Sequence, residues 1–310
     1  MAKPVLLKNL SKRYSSNSSP KESRLVLKEI NLELNEGELL TMIGPKGCGK
    51  STILKMIAGL EHPTGGEIYV DGIRIEGVPP KDRNVGFLVP GNPLLEHMTV
   101  ADNISFGFNV RKIPNRDRRR RFEQLVALMG LEEVLDRSPK QISKVQQRRV
   151  ALASLLAPQP RVLLLDDPFS GLDTAARQQL RADTKVWQQE LNVPTILATH
   201  DRFEALDMGG RIAILDEGRF QQIDTSHNLI FNPANAIVAR FVGSENIMPS
   251  IPGNGLSHAI DTVAGDLPIQ DDESGSSLVC HTFLGRPIRV EVGHNNEYRL
   301  HKPHTIASNR

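Results

Sequence analysis

Gly44-Pro45-Lys46-Gly47-Cys48-Gly49-Lys50-Ser51-Thr52 follows the apolar run 39–43 and precedes a stretch in which Ile53, Leu54, Ile57 and Leu60 recur at helical spacing. A strand therefore feeds a glycine-rich turn aimed at a helix start, which is the layout of a phosphate-binding loop. Backbone N–H groups of such a turn surround a β-phosphate, Lys50 reaches the β and γ oxygens, and the Ser51 hydroxyl can ligate Mg²⁺. The helix behind the loop directs the positive end of its dipole at the same phosphates. The pattern implies a core that binds a nucleoside triphosphate.

The bulk numbers set the frame. At 310 residues the chain exceeds one ordinary core, so a large nucleotide-binding domain with a smaller appended one is expected. A net charge of +2, from 38 basic and 36 acidic residues, supplies no overall field that argues for nucleic acid. No apolar stretch approaches the roughly 18 residues needed to span a bilayer, and no leader pattern opens the chain, so the expectation is a soluble, cytosolic protein. Two cysteines, Cys48 and Cys280, one of them in the phosphate loop, argue against a disulfide framework. Cys48 lies near a helix start, where a thiolate is favoured, but a small residue fitted to the turn is the plainer reading.

Outward from the loop, residues 4–8 and 25–34 read as strands separated by a polar loop over 15–24, an insertion. Alternation over 67–70 followed by Asp71-Gly72 is a hairpin signal, and a strand over 84–89 follows. From about 99 to 156 the pattern is helical, with Phe122, Leu125, Val126 and Leu128 on one stripe and Val150, Leu152 and Leu155 on another. This is an inserted helical subdomain, about 91–160. A strand over 161–165, a helix over 174–191 and a buried strand over 194–198 then alternate, which implies an α/β fold with a mainly parallel sheet. Beyond Gly243 the register changes; 249–277 is loop-rich, and 278–292, with Gly285-Arg286-Pro287 inside it, fits a small β-barrel. Domains are expected at 1–243 and 244–310.

Val162-Leu163-Leu164-Leu165-Asp166-Asp167 is an apolar strand ending in two carboxylates. Asp166 is placed to hold Mg²⁺ with Ser51, and Asp167 to polarise an attacking water. Thr199-His200-Asp201, directly after another core strand, brings an imidazole toward the γ-phosphate.

In this order the motifs resemble the ATP-binding subunit of an ABC transporter, in particular the importer subunits of the sulfate, molybdate, iron(III) and polyamine group with a C-terminal TOBE-like barrel. The resemblance implies a P-loop NTPase with a RecA-like core and a partial regulatory domain at 244–310. Tyr14 matches the aromatic residue that stacks on adenine, Gly44 to Thr52 the Walker A loop, 162–167 the Walker B strand, Ser170-Gly171-Leu172-Asp173 the D-loop and His200 the switch histidine. His97-Met98-Thr99-Val100 and Phe241-Val242-Gly243-Ser244-Glu245-Asn246 also look like the import family. The resemblance further implies ATP and Mg²⁺ as ligands, Ser143, Gln146 and Asp173 at the nucleotide across a dimer, and catalysis by Asp167 and His200. Integral permease subunits, a solute-binding protein and a second ATPase subunit, identical or different, are the implied partners, with the chain peripheral on the cytoplasmic face of the membrane. An oxyanion or metal ion is the solute that this likeness favours.

Four positions depart from the family pattern. Pro90 stands where a glutamine contacts Mg²⁺ and water. The signature Leu-Ser-Gly-Gly-Gln reads Ile142-Ser143-Lys144-Val145-Gln146, so a β-branched residue crowds the approach to a phosphate, while Lys144 either attracts or clashes. Asp167 replaces a glutamate one methylene longer. Lys46 replaces a small polar residue, either adding charge near the phosphates or pointing to solvent. Two function classes stand open: an ATPase subunit that drives import, and a hydrolysis-impaired ATP-binding subunit that works beside a competent partner. A DNA-associated ATPase rests only on Arg116 and 118–121, a run that ordinarily forms a solvated helix face, and no nucleic acid is expected.

Overall fold

The structure, a computed structural model, describes residues 3–16, 19–91, 94–110 and 115–243 and the strands 259–260, 267–268, 277–281, 287–292 and 298–301; of those strands and of residues 15–16, 19–24, 110 and 115–116 only the backbone is described. The chain divides into two compact units, residues 1–219 and 220–310.

The first unit opens with β1 (Val5–Ser16) and β2 (Ser19–Leu34), paired antiparallel. β4 (Gly65–Val70) and β5 (Ile73–Arg74) extend this sheet in the order β2-β1-β4-β5. Asp71 and Gly72 turn the second hairpin at φ 54° and 75°, the left-handed pair that a two-residue turn needs. The first hairpin corrects the sequence expectation of a loop over 15–24, because the ladder continues through Tyr14 opposite Arg24 to Ser16 opposite Ser19. Ladder hydrogen bonds are made by the main chain, so a polar run can be paired as readily as an apolar one.

The second sheet carries the candidate site. β3 (Leu39–Ile43), β6 (Val85–Leu88), β7 (Val162–Asp166), β8 (Thr195–Thr199) and β9 (Arg211–Asp216) run parallel in the order β9-β3-β8-β7-β6. Every residue of β3, β7 and β8 is buried, as expected of parallel strands covered on both faces. α1 (Lys50–Ala58) buries Ile53, Leu54, Met56 and Ile57. It stops at Gly59, which adopts φ 83°, so Leu60, counted by spacing as part of the buried stripe, is 57% exposed.

The helical segment comprises α2 (Val100–Val110), α3 (Asn115–Met129) and α4 (Lys144–Leu156). Its Ile104, Phe108, Leu125, Met129 and Leu152 share one continuous core with Leu163 and Leu165 of β7. Leu163 and Leu165 alternate onto one face of the sheet, which is why both meet the helices. α5 (Thr174–Leu191) and α6 (Arg202–Met208) complete the unit, α5 with the bounds that its spacing predicts.

The second unit contains β10 (Arg219–Thr225), α7 (Ser226–Phe231) and α8 (Ala236–Val242), the two helices capped by Thr225 and Asn235. β11 (Ala259–Ile260) pairs with β12 (Leu267–Pro268), and β13 (Ser277–His281), β14 (Pro287–Val292) and β15 (Tyr298–His301) form an antiparallel sheet. β13 and β14 fall where strands were expected; the Gly285-Arg286 turn and the closure of a barrel lie outside the described residues.

One ion pair staples α3, α4 and α5 together. Arg149 binds Asp183 at 2.6 Å and donates to the Met129 carbonyl at 3.1 Å, with both ion-pair side chains about four-fifths buried. Removing the acid strands a largely buried guanidinium. Asp183→Ala is expected to cost about 2 kcal/mol, read as a lower urea midpoint with an unchanged slope.

Candidate active site

Sheet register assembles the site. Ile43 of β3 pairs with Thr199 of β8, and Asp166 of β7 pairs with Ala198 of the same strand. Three chain segments, starting at Gly44, Asp167 and His200, therefore leave the sheet side by side at its carboxyl edge, where ligands of open α/β sheets bind.

The 44–52 loop is held by close contacts. A side chain at Gly44 would overlap the Leu215 carbonyl oxygen, and one at Gly49, itself at φ 116°, would overlap Leu27 of β2. Only glycine fits either position. Lys50, 8% exposed, folds back and donates to the carbonyls of Gly44 at 2.7 Å and Pro45 at 3.0 Å. Pro45, Lys46 and Gly47 are exposed, while Cys48 is buried. Burial pushes the Cys48 thiol up despite the neighbouring Lys50, which supports the plainer reading of this residue as a small group fitted to the turn. Lys46 lines an open cleft of about 340 Å³ with Val26, Lys28, Cys48 and Asp216.

At the mouth of the loop the Ser51 hydroxyl donates to Asp166 at 3.0 Å. Asp166 is 4% exposed, and its carboxyl is raised above the ordinary range, first by burial and further by the charge of Asp167, against the lowering effect of the Ser51 hydrogen bond. Two hard oxygen ligands at this spacing, backed by room for phosphate oxygens, suit Mg²⁺, which takes one or two protein ligands and completes its shell with waters and phosphate. Asp167 adopts φ 46°, a left-handed conformation that aspartate tolerates better than most residues. Its carboxylate meets His200 Nδ1 at 3.0 and 3.2 Å. The structure thus brings 44–52, Asp166, Asp167 and His200 together.

The other sequence-derived positions have local partners. Tyr14 is 39% exposed, with the Lys12 ammonium 4.8 Å from its ring centroid; Lys12 is itself held by Glu61 at 2.9 Å and the His62 carbonyl at 2.7 Å. Ser143 and Gln146 form a reciprocal capping box at the start of α4: the Gln146 main-chain N–H donates to Ser143 Oγ at 3.2 Å and the Ser143 main-chain N–H to Gln146 Oε1 at 2.9 Å. Asp173 caps α5 by accepting from the Ala176 N–H at 2.9 Å. Pro90 is exposed at the turn beyond β6. Lys144, Arg148, Ser170 and Gly91 border a separate cleft of about 220 Å³.

Several residues that position the site escaped the sequence reading. Arg83 donates to the Met56 and Ile57 carbonyls at 2.8 and 3.2 Å, satisfying the last carbonyls of α1. Asn103 exchanges bonds with Leu95 N–H and O and with the Thr99 carbonyl, fixing the loop over 95–99. Thr199 donates to the buried Glu204 at 2.6 Å beside His200. Of these, only Thr199 and Glu204 lie close enough in sequence to a chemical motif for it to have pointed to them.

With this geometry in hand, the relatives are informative. The ABC transporter profile matches residues 27–170. The sulfate/thiosulfate import ATP-binding protein CysA of Gloeobacter violaceus is 37% identical over 297 residues, covering 93% of this chain and 84% of that protein. The chain belongs to the ABC transporter family. The spermidine/putrescine import ATP-binding protein PotA of Methylococcus capsulatus is 41% identical over 239 residues, and the match spans 77% of this chain but 60% of that relative's length. Among solved structures, a dimeric ATP-binding cassette, MJ0796, in a post-hydrolysis state with ADP and phosphate, matches with a TM-score of 0.62 at 31% identity, over 72% of this chain and 98% of that one. The P-loop fold of the ABC family is therefore the fold of this chain. No described helix is long and apolar enough to cross a membrane.

The raised carboxyl of Asp166 fixes the sign of a pH effect on this ABC core. Below the ordinary carboxylate range the group is neutral in both folded and unfolded chains; as pH rises through that range toward the raised folded value, the unfolded chain ionises first and stability is lost. Asp166→Asn should therefore raise the melting midpoint of the nucleotide-free protein at pH 7, with the gain fading as the pH is lowered toward about 4. Parallel melts of the two proteins at both pH values check this.

Proposed function

We propose that this chain is the ATP-binding, ATP-hydrolysing subunit of an ABC import complex, acting at the cytoplasmic face of a membrane with integral permease subunits, a solute-binding protein and a second ATPase subunit. The observation that carries this reading is the convergence on one sheet edge of Lys50, the Ser51–Asp166 pair and the Asp167–His200 pair. The importer role and the partners are supported by the relatives that bear such names. For the solute, an inorganic oxyanion is supported by CysA, whose similarity runs through 93% of the chain.

In this reading Lys50 leaves the loop carbonyls for the β and γ oxygens of ATP, exchanging two neutral acceptors for charged ones. Ser51 and Asp166 hold Mg²⁺, which neutralises phosphate charge when bound. Asp167 orients the attacking water, and His200 fixes the Asp167 carboxylate through Nδ1. Tyr14 offers adenine the ring face that Lys12 leaves open. Ser143, Gln146 and Asp173 serve the nucleotide of a partner subunit.

Hydrolysis is slow in this proposal. The Asp167 side chain is about 1 Å shorter than a glutamate's, and a shift of that size costs about a hundredfold in rate. Pro90 supplies neither a side-chain amide nor an N–H, and the β-branched Val145 stands where the family's glycine would let a phosphate approach the start of α4. A dimer of identical chains would carry these changes in both sites, whereas a different partner would supply an unaltered opposing surface to the Walker side of this chain. The working assembly in this reading is therefore the mixed pair.

Calorimetry with MgATP should show binding that Lys50→Ala weakens by at least about a hundredfold; equal affinity in both proteins would remove the nucleotide reading. Steady-state turnover of the purified chain should be slow and rise about tenfold or more in the combined variant Pro90→Gln, Val145→Gly, Asp167→Glu. Brisk unaided turnover of the wild type would refute the impaired site.

A further inference from the structure

One guanidinium touches both segments that flank the Asp167–His200 pair. Arg177, on the first turn of α5, donates through Nη2 to the Leu172 carbonyl at 3.3 Å. Its Nη1 lies 3.6 Å from Asp201 Oδ2, and its Nε lies 3.6 Å from Glu204 Oε1. Leu172 belongs to the turn 170–173 that leads from Asp167 into α5, whereas Asp201 and Glu204 belong to the start of α6, immediately after His200.

Those carboxylates are committed to holding the histidine segment. Asp201 Oδ1 caps α6 by accepting from the N–H groups of Phe203 at 2.8 Å and Glu204 at 3.2 Å, which leaves Oδ2 to face Arg177. Glu204, 5% exposed, accepts from the Thr199 hydroxyl, and Thr199 in turn accepts from the Asp201 N–H at 3.0 Å. The backbone on either side of His200 is thus closed into a ring of hydrogen bonds, and the only cation within 4 Å of either ring carboxylate among the described residues is Arg177. The neighbouring Arg181 is engaged by Asp207 at 2.7 Å instead.

We propose that Arg177 is a positioning residue that couples the 170–173 turn to His200: its fork links the Leu172 carbonyl to Asp201 and Glu204, so a shift of the turn is transmitted to the histidine that meets Asp167. The guanidinium is suited to this because its rigid plane donates to the Leu172 carbonyl while holding its charge 3.6 Å from each of the two carboxylates, whereas a lysine ammonium supplies the charge without that geometry. Neither segment needs the other for its own hydrogen bonds, so Arg177 adds coordination between two elements that are each already formed. The proposal rests on the reading of His200 and Asp167 as the hydrolytic pair, but the coupling itself is observable without hydrolysis.

The test uses the full chain and hydrogen exchange at the amides of 172–177 and 199–204 in wild type, Asp173→Ala, Arg177→Lys and the double variant. Removing the α5 cap with Asp173→Ala should speed exchange at both segments by about tenfold. In the Arg177→Lys background the same cap removal should still loosen 172–177 and leave 199–204 unchanged. Glu204→Gln, which keeps the volume and the bond to Thr199, should break the coupling from the other end and serves if Arg177→Lys does not fold. Responses at 199–204 that persist in both backgrounds would overturn the proposal, as would an absent response in the Arg177-containing chain. With MgATP, Arg177→Lys should lower kcat by about tenfold and leave KM within about twofold; a change confined to KM would also overturn it. A wild type that binds but never turns over ATP would count against the proposed function, and the exchange measurements would still decide the coupling.

Discussion

Parallel pairing of β3, β8 and β7 is the constraint on which the site depends. With Ile43 level with Thr199 and Asp166 level with Ala198, the phosphate loop, the two carboxylates and the histidine emerge at one height. A slip of one residue in any of these strands would turn its side chains to the opposite face and move its loop by more than 3 Å. Complete burial of the three strands makes such a slip costly, because each carries a run of apolar residues matched to covered faces. The burial of these strands and the placement of the site thus have one source.

The same edge concentrates charged groups of both signs. Asp166 and Asp167 are adjacent, and burial raises the first of them above its ordinary range. Lys50, which would be the natural counter-charge, hydrogen-bonds instead to the Gly44 and Pro45 carbonyls. Asp167 sits in a left-handed conformation that most side chains avoid. These features cost stability in the free protein, and in the proposed function a triphosphate with its divalent ion would relieve them together: the anion would draw the lysine away from its own loop, and the cation would meet the carboxylates. Binding energy and local strain are therefore complementary parts of one arrangement.

What could be read in the sequence was whatever is encoded locally. The strand, glycine loop and helix over 39–58, the acidic end of β7, His200 after β8 and the bounds of α5 all follow from residues adjacent in the chain. Missed features depend on distance or on main-chain bonding. Arg83 caps a helix that ended 25 residues earlier, and Arg177 meets carboxylates 24 and 27 residues away, separations read from the numbering; no local spacing reports such meetings. Leu60 continues the apolar period of α1, but Gly59 ends the helix before that period can bury it. The paired strands through Ser16 and Ser19 lie in a polar run, where composition suggested a loop but the backbone ladder was indifferent to it.

The signature segment shows how a structural role can persist where a functional pattern has changed. Ser143 and Gln146 match the family at the start of α4, and the structure accounts for both without any ligand: each satisfies the other's main-chain N–H in a capping box. Their presence is therefore accounted for by the helix start alone, apart from the role that the proposed function gives them at a partner's nucleotide. Lys144 and Val145, which lie between them, are free of that helix-capping duty, and they are the residues that differ from the family's glycine pair. In this segment the residues that match the family are those that start the helix, whereas in 44–52, at Asp166 and at His200 they are those that the proposed function sets at the nucleotide. At the start of α4 the departure from the family pattern is thus confined to the side-chain volume and charge of two positions of the first turn, in a helix whose capping is intact.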